Sequence, residues 1–390
     1  MVVAWAALAL GTFTAPQEDS PWLRTVLPTG AILVAHSLPE AKRTSAQLLL
    51  SARSWPESPA NHGWRHLWEH LAAAGPNGDL DIRLESAGMT LRARTFRDAN
   101  QFEIECAPAQ LDAALDALLE ILRPRAFSPA ALAKELEILR HERALMSVPE
   151  RLSSKAWLLA YGEEGIDTQG SEEALRGAKP ADMERLHSEL CDQSKVTISL
   201  AGPQSAELMI QAAKSALAPI APGKPEPPQR RQSGAPAKGF LPGVDGGVLA
   251  ALTGSFDSRE AAATLAAGLA LAAHSPGSFF IYTPSAENSL ILVGGTDSWP
   301  ELLRAAEDSS PDSSARRFEA GVDLARRWVR RQLADPTSSA FLRGYLASGA
   351  FGMSPEKILG QLDRLTLADF RQGWAAFGAD QRVEVRGGQP

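Results

Sequence analysis

Residues 63–70 read Gly63-Trp64-Arg65-His66-Leu67-Trp68-Glu69-His70, and the spacing of the polar members implies both a conformation and a chemistry. On an α-helix, side chains four positions apart stack on one face, so His66 and His70 can present nitrogens to one metal ion with Glu69 beside them. Histidine is scarce here, seven in 390 residues, which makes two at this interval around a carboxylate a specific pattern. Asn61 predicts the N-cap of the helix and Gly75-Pro76 its stop, giving about three to four turns.

Two histidines supply two ligands, whereas a catalytic zinc usually takes three protein ligands and keeps one position open. A second predicted helix, Ser128 to Met146, offers the third. It starts with a capping Ser128 and Pro129 at its first position. Its apolar stripe runs through Leu132, Leu136, Leu139 and Met146. Glu135 and Glu142 share one side two turns apart, next to Leu139 and Met146, while Glu137 points elsewhere. Two carboxylates bordering a buried stripe need a metal ion or an imidazole as partner.

Gly63-x-x-His66-x-x-Glu69-His70, followed downstream by Glu135 and Glu142 on one helix, resembles the M16 metallopeptidase family, whose HxxEH motif defines the inverzincins. Thr25-Val26-Leu27-Pro28-Thr29-Gly30 resembles the first strand and turn of that family, and Gly88 to Phe102 its strand with a following aromatic. The likeness covers residues 24–218 well and 245–388 loosely. It implies His66, His70 and Glu142 as ligands of one Zn²⁺ per chain, Glu69 as the base that activates water, and Glu135 as support for a ligating histidine. The chemistry agrees, since zinc lowers the pKa of its bound water towards ~7. Glu69 is placed to take that proton and return it to a leaving amine, and Glu135 to fix a histidine tautomer.

Composition is that of an ordinary globular chain, 44% hydrophobic and 22% charged. A net charge of −7 speaks against a nucleic-acid partner, which calls for a basic patch. Cys106 and Cys191 are too few for a disulfide framework or a cysteine metal site. Residues 1–15 are apolar, like the core of a signal peptide, but no Lys or Arg precedes them and no clean cleavage site follows. Export and cytoplasmic residence both stay open, and no segment is long enough to span a bilayer.

An internal repeat sets the architecture. Leu159-Ala160-Tyr161-Gly162 recurs as Leu346-Ala347-Ser348-Gly349, and Ala181-Asp182 as Ala368-Asp369, at one constant offset. Each copy is followed by a helix and a short strand, Val196 to Leu200 and Val383 to Val385. The expected fold is α+β: two topologically similar α/β-layered domains, 20–218 and 248–390, hinged as a clamshell by the Pro/Gly-rich linker 219–247. The second domain is expected to be shortened and to lack a metal site. The repeat partner of Glu142 is Val329, and the stretch from Arg259 to Ala273 reads as a packing helix.

The resemblance also implies an Arg and a Tyr in the second half, to bind substrate and steady an oxyanion. Gly277 to Pro284 offers only Tyr282, without an Arg, and Arg92 stands where the family commonly has Asn. Two functions follow. One is a zinc endopeptidase acting on peptides or unstructured polypeptides, with a second M16-like chain supplying the missing Arg and Tyr. The other is a catalytically inactive structural or assembly subunit of the same fold. Trp64 and Trp68 are read as core residues, and His36, His62, His141, His187 and His274 as structural or surface residues.

Overall fold

A computed structural model describes residues 22–52, 57–220, 222–223, 231–285, 287–308, 310–348 and 353–388. The apolar leader at 1–15 lies outside these residues, as do parts of the expected linker and the end of the second repeat landmark. The N-terminal half opens with β1 (Trp22–Val26), β2 (Ile32–Ser37), β3 (Thr44–Ser51), α1 (Trp64–Ala73) and α2 (Leu80–Ser86). The hairpin β4 (Thr90–Thr95) and β5 (Ala99–Cys106) leads into α3 (Leu111–Leu122), α4 (Pro129–Ala144) and α5 (Val148–Tyr161). Then come α6 (Glu172–Gly177), α7 (Pro180–Leu190), β6 (Val196–Gly202) and α8 (Ala206–Leu217). The C-terminal half runs β7 (Ala237–Pro242), β8 (Gly247–Thr253), α9 (Arg259–His274), β9 (Phe279–Tyr282), β10 (Ser289–Gly295) and α10 (Trp299–Glu307). It ends with α11 (Pro311–Ala334), α12 (Pro336–Ala347), α13 (Glu356–Asp363), α14 (Leu367–Ala375) and β11 (Arg382–Gly388).

These elements build two sheets of like topology. The first has the order β1-β2-β6-β3-β5-β4, with β2 and β6 parallel and the other neighbours antiparallel. The second, β7-β11-β8-β10-β9, repeats that sequence of directions from its parallel pair β7 and β11 onward. Without β1, the strands correspond one to one, and the repeat read in the sequence is a repeat of topology. β7 falls in the stretch expected to be linker. It is an edge strand with alternating cover and Pro242 at its end, so pairing with β11 supplies what its weak apolar pattern does not.

Helices α1, α3 and α8 cover one face of the first sheet, and α9 does the same for the second. The opposite faces are closed by exchange between the halves. Helix α5 lays Leu152, Ala156 and Ala160 against Val248, Leu290 and Val383 of the second sheet. Reciprocally, α12 crosses the first sheet, where Ser199 Oγ donates to the Ala340 carbonyl at 2.6 Å and Gln47 Nε2 to the Thr337 carbonyl at 2.8 Å. Gly344 permits that approach, since a Cβ there would lie 2.6 Å from the Ser199 Cβ. β3 and β6 are therefore buried on both faces, polar members such as Gln47 and Ser199 included. Among the described residues no helix is long and apolar enough to cross a membrane.

Candidate metal centre

Helix α1 starts two residues later than the sequence suggests. Its N-cap is Gly63 at φ 89°, not Asn61, which instead accepts hydrogen bonds from the amide and hydroxyl of Ser58 at 2.6 and 2.8 Å. A glycine is required because a Cβ at 63 would lie 2.3 Å from the Gly170 Cα, besides the strain of the left-handed conformation. The Gly63 amide, an orphan at the helix start, donates to Glu57 Oε2 at 2.7 Å. Nearly the whole helix is buried, polar residues included: Arg65, His66 and Glu69 are as enclosed as Leu67 and Trp68. Buried polar side chains need partners, and those partners define the site.

Helix α4, capped by Ser128 Oγ accepting from the Ala131 amide, brings Glu135 and Glu142 to the histidine pair. His66 Nε2 and His70 Nε2 lie 3.5 and 3.6 Å from the same oxygen, Glu142 Oε2. His70 Nδ1 meets Glu135 Oε2 at 3.2 Å. Ligand atoms of His66, Glu69 and His70 all fall within 4.8 Å of one another. Bonds of ~2.0–2.2 Å at tetrahedral angles separate neighbouring ligand atoms by ~3.4 Å, so the two His–Glu142 spacings suit one small cation. The donor set, two neutral imidazoles and a carboxylate, suits zinc chemically. Among the described residues the buried His66 Nδ1 has no hydrogen-bond partner.

Electrostatics sort the members. Burial, then the neighbouring His70, push the His66 pKa down to about 3, so its imidazole stays neutral and free to ligate. Burial also opposes charge on His70, but the carboxylates of Glu142, Glu69 and Glu135 outweigh it and raise its pKa. The hydrogen bond from His70 draws the Glu142 pKa down. Burial raises that of Glu69 to about 7, against the pull of Thr95 and His70.

Thr95, which the sequence reading passed over, anchors Glu69. Its Oγ1 donates to Glu69 Oε2 at 2.5 Å and accepts from Asn100 Nδ2 at 2.7 Å. Thr95 ends β4, and β4 is an edge strand of the first sheet. Arg65, also missed, ties the same hairpin to α1: its Nη1 and Nη2 donate to the carbonyls of Phe96 and Arg97 at 2.9 and 2.8 Å. Its Nε is 3.3 Å from Glu57 Oε1, an ion pair off the hydrogen-bond direction. Nothing in the spacing of Glu57 and Arg65 announces this buried pair.

A cavity of about 390 Å³ opens beside His66 and Glu69, with β4 on one wall and β9 on the other. Tyr282 stands on the β9 wall near Phe256 and Trp328, with ring centroids 6.1 and 6.0 Å away. Its hydroxyl is buried without a hydrogen-bond partner among the described residues, and burial raises its pKa strongly. Arg92 lies on β4 and pairs with Glu103 at 3.2 Å and Glu105 at 3.7 Å. His62 pairs with Asp167 at 3.0 Å, away from the ligand cluster, and His141 is exposed beside Glu137.

Residues 32–161 match the family described as insulinase, peptidase family M16. Over 120 residues the chain is 24% identical to the mitochondrial-processing peptidase subunit beta of Saccharomyces cerevisiae, covering 30% of this chain and 26% of that one. The match thus spans about a quarter of that relative's length. Among solved structures, a protease from Helicobacter pylori superposes with a TM-score of 0.75 at 16% identity, covering 95% of this chain and 100% of that one. A peptidase M16 inactive domain from Pseudomonas fluorescens gives 0.72 at 15% identity, covering 95% and 98%. Residues 32–161, which carry the HxxEH helix on this two-sheet scaffold, thus match the M16 peptidase family across a third of the chain.

Proposed function

We propose that this chain is a zinc-dependent endopeptidase acting on peptides or unstructured polypeptides. The observation that carries the reading is the convergence of His66 Nε2 and His70 Nε2 on one oxygen of Glu142, with Glu69 held in the same cluster. His66, His70 and Glu142 would hold the metal. When bound, zinc supplies the Lewis acidity that polarises a carbonyl and makes water a better acid. Glu135 accepts from His70 Nδ1–H, which leaves Nε2 as the ligating nitrogen. Thr95 fixes the Glu69 carboxylate, and with a pKa of about 7 that carboxylate can take a proton from water and pass it to the departing amine nitrogen. Tyr282, on the opposite wall of the cavity, would donate its hydroxyl to a developing oxyanion. A catalytically silent subunit has no need of Thr95 and Asn100 tethering a buried carboxylate beside two imidazoles, and this favours the enzyme over the assembly reading.

The test pairs metal analysis with hydrolysis. His70→Ala should abolish bound zinc. Glu69→Gln should keep zinc and lower peptide cleavage by ~10² or more, the usual scale of general acid-base help. Zinc lost with Glu69→Gln would make Glu69 a ligand, and cleavage untouched by that change would end the peptidase reading.

A further inference from the structure

Arg97 is a cation that the fold holds rigidly and that the proposed peptidase chemistry does not use. It sits on the turn between β4 and β5, two residues beyond Thr95, and lines the cavity beside His66 and Glu69. Its backbone, Nε and guanidinium face are engaged. Its carbonyl accepts from Arg65 Nη2 at 2.8 Å, its Nε donates to the Gly165 carbonyl at 3.1 Å, and its guanidinium lies 4.6 Å from the centre of the Trp157 indole. A second guanidinium, that of Arg231, lies 5.0 Å from the same ring.

The two arginines differ in their counter-ions. Arg231 lies 3.9 Å from both Asp98 and Glu287. Among the described residues no carboxylate oxygen comes within 4.0 Å of the Arg97 guanidinium. The nearby Asp167 is occupied by His62 at 3.0 Å and by the Gln169 amide at 2.9 Å. Burial lowers the Arg97 pKa to about 10, still far above neutrality, so the charge stays. The guanidinium is partly buried with no carboxylate in ion-pair range among the described residues, and its planar fork is shaped for bidentate carboxylate binding. Because the backbone, Nε and ring face are already fixed, little freedom is lost when the two Nη groups take a ligand.

We propose that Arg97 forms a carboxylate-binding subsite of this cavity, so that a bound peptide places a carboxylate close to the bond presented to Glu69. The proposal rests on the cavity being a peptide site. Thr95 touches Glu69 at 2.5 Å, and two residues of chain plus an arginine side chain reach at most ~14 Å, so the carboxylate belongs within about four residues of that bond. It is either the C-terminus of the peptide or the side chain of an Asp or Glu.

The experiment measures binding, not turnover. Zinc-loaded Glu69→Gln protein is titrated into one N-terminally labelled pentapeptide made in three forms: C-terminal acid, C-terminal amide, and amide with an internal Gln changed to Glu. Anisotropy gives Kd. At least one carboxylate form should bind ~10- to 100-fold more tightly than the neutral amide, the scale of charge-assisted hydrogen bonds, and the tighter form names the source. Adding Arg97→Gln should remove that preference and leave the Kd of the neutral amide unchanged, which a purely structural arginine would not do. Arg97→Lys should keep only part of it, since the charge remains and the fork is lost, and this variant decides the matter should Arg97→Gln not fold. Equal Kd values for all three forms, no binding at all, or a preference that survives the Arg97 changes would overturn the subsite. Should the preference follow Arg97 while Glu69→Gln leaves peptide cleavage untouched, the peptidase reading falls and the subsite stands.

Discussion

Arg65→Met should destabilise the protein by ~3–5 kcal/mol, the cost of breaking a buried ion pair on one side. The arginine is fully buried, and its loss removes two charge-assisted hydrogen bonds, to the carbonyls of Phe96 and Arg97, each contributing ~1.5–3 kcal/mol. It also strands Glu57, which is buried and left with the Gly63 amide as its donor. These contributions overlap and do not add. Urea unfolding of Arg65→Met, Glu57→Gln and the double variant measures them as a cycle. Glu57→Gln should cost stability in the parent and restore ~1–3 kcal/mol in the Arg65→Met background, because there it removes an unpaired charge. Burial already raises the Glu57 pKa, and without Arg65 it rises further. A raised folded pKa gives stability that is present below the unfolded value and is lost as pH rises, so the Arg65→Met deficit should shrink towards pH ~4. A deficit under ~1 kcal/mol, or the same cost for Glu57→Gln in both backgrounds, would refute the pair as the clamp between α1 and the β4–β5 hairpin.

Glu142→Gln should weaken zinc binding sharply, read by metal content after dialysis against a chelator; full occupancy would remove Glu142 from the ligand set. Gly63→Ala should cost ~2–5 kcal/mol, from left-handed strain and the clash with Gly170, and an unchanged thermal midpoint would contradict it. His187, pushed by burial to about 4, and His36, pushed by burial to about 3, have depressed folded pKa values. Their stability is present above ~6.5 and is lost as pH falls towards those values. The stability gap between the parent and His187→Gln should therefore narrow by ~1–2 kcal/mol from pH 7 to pH 5, and a constant gap would refute the buried neutral imidazole. If a second M16-like chain supplies the Arg and Tyr, adding it should raise peptide hydrolysis by ~10² to 10³, the worth of one oxyanion donor. Efficient cleavage by this chain alone, slowed by Tyr282→Phe, would assign that role to Tyr282.

What could be read from the sequence was what obeys local periodicity. The His66 and His70 pair, Glu135 and Glu142 on one side of α4, and the Ser128 cap all follow from helical geometry, and the structure brings the four acidic and imidazole side chains together. The Asn61 cap failed because Gly63 is dictated by a contact with Gly170, a hundred or so positions away. Thr95 and Asn100 could not be placed, since a threonine and an asparagine in a hairpin carry no signal until α1 is packed beneath them. β7 was hidden in Pro- and Gly-rich sequence because its partner, β11, is the last strand of the chain. The reciprocal packing of α5 and α12 was visible only as a repeat whose meaning was topological.

The repeat also bears on why, among the described residues, one half buries a His–Glu cluster and the other does not. In the corresponding edge positions stand β4 and β9, but β4 is followed across the sheet by a helix with buried His66 and Glu69, whereas α9 buries almost only Ala and Leu. Burying imidazole and carboxylate costs stability unless partners compensate, and the N-terminal half supplies those partners from three separate elements: Glu142 and Glu135 from α4, Thr95 from β4, and the carboxylate of Glu57 through Arg65. In the C-terminal half the place of Glu142 is taken by Val329, fully buried in the core beneath α9. With no carboxylate there to meet a cation, an apolar α9 is the stable solution, and the freed cavity wall is lined instead by Tyr282 and Trp328. The asymmetry is thus a consequence of which polar side chains each half can satisfy, on a backbone that both halves share.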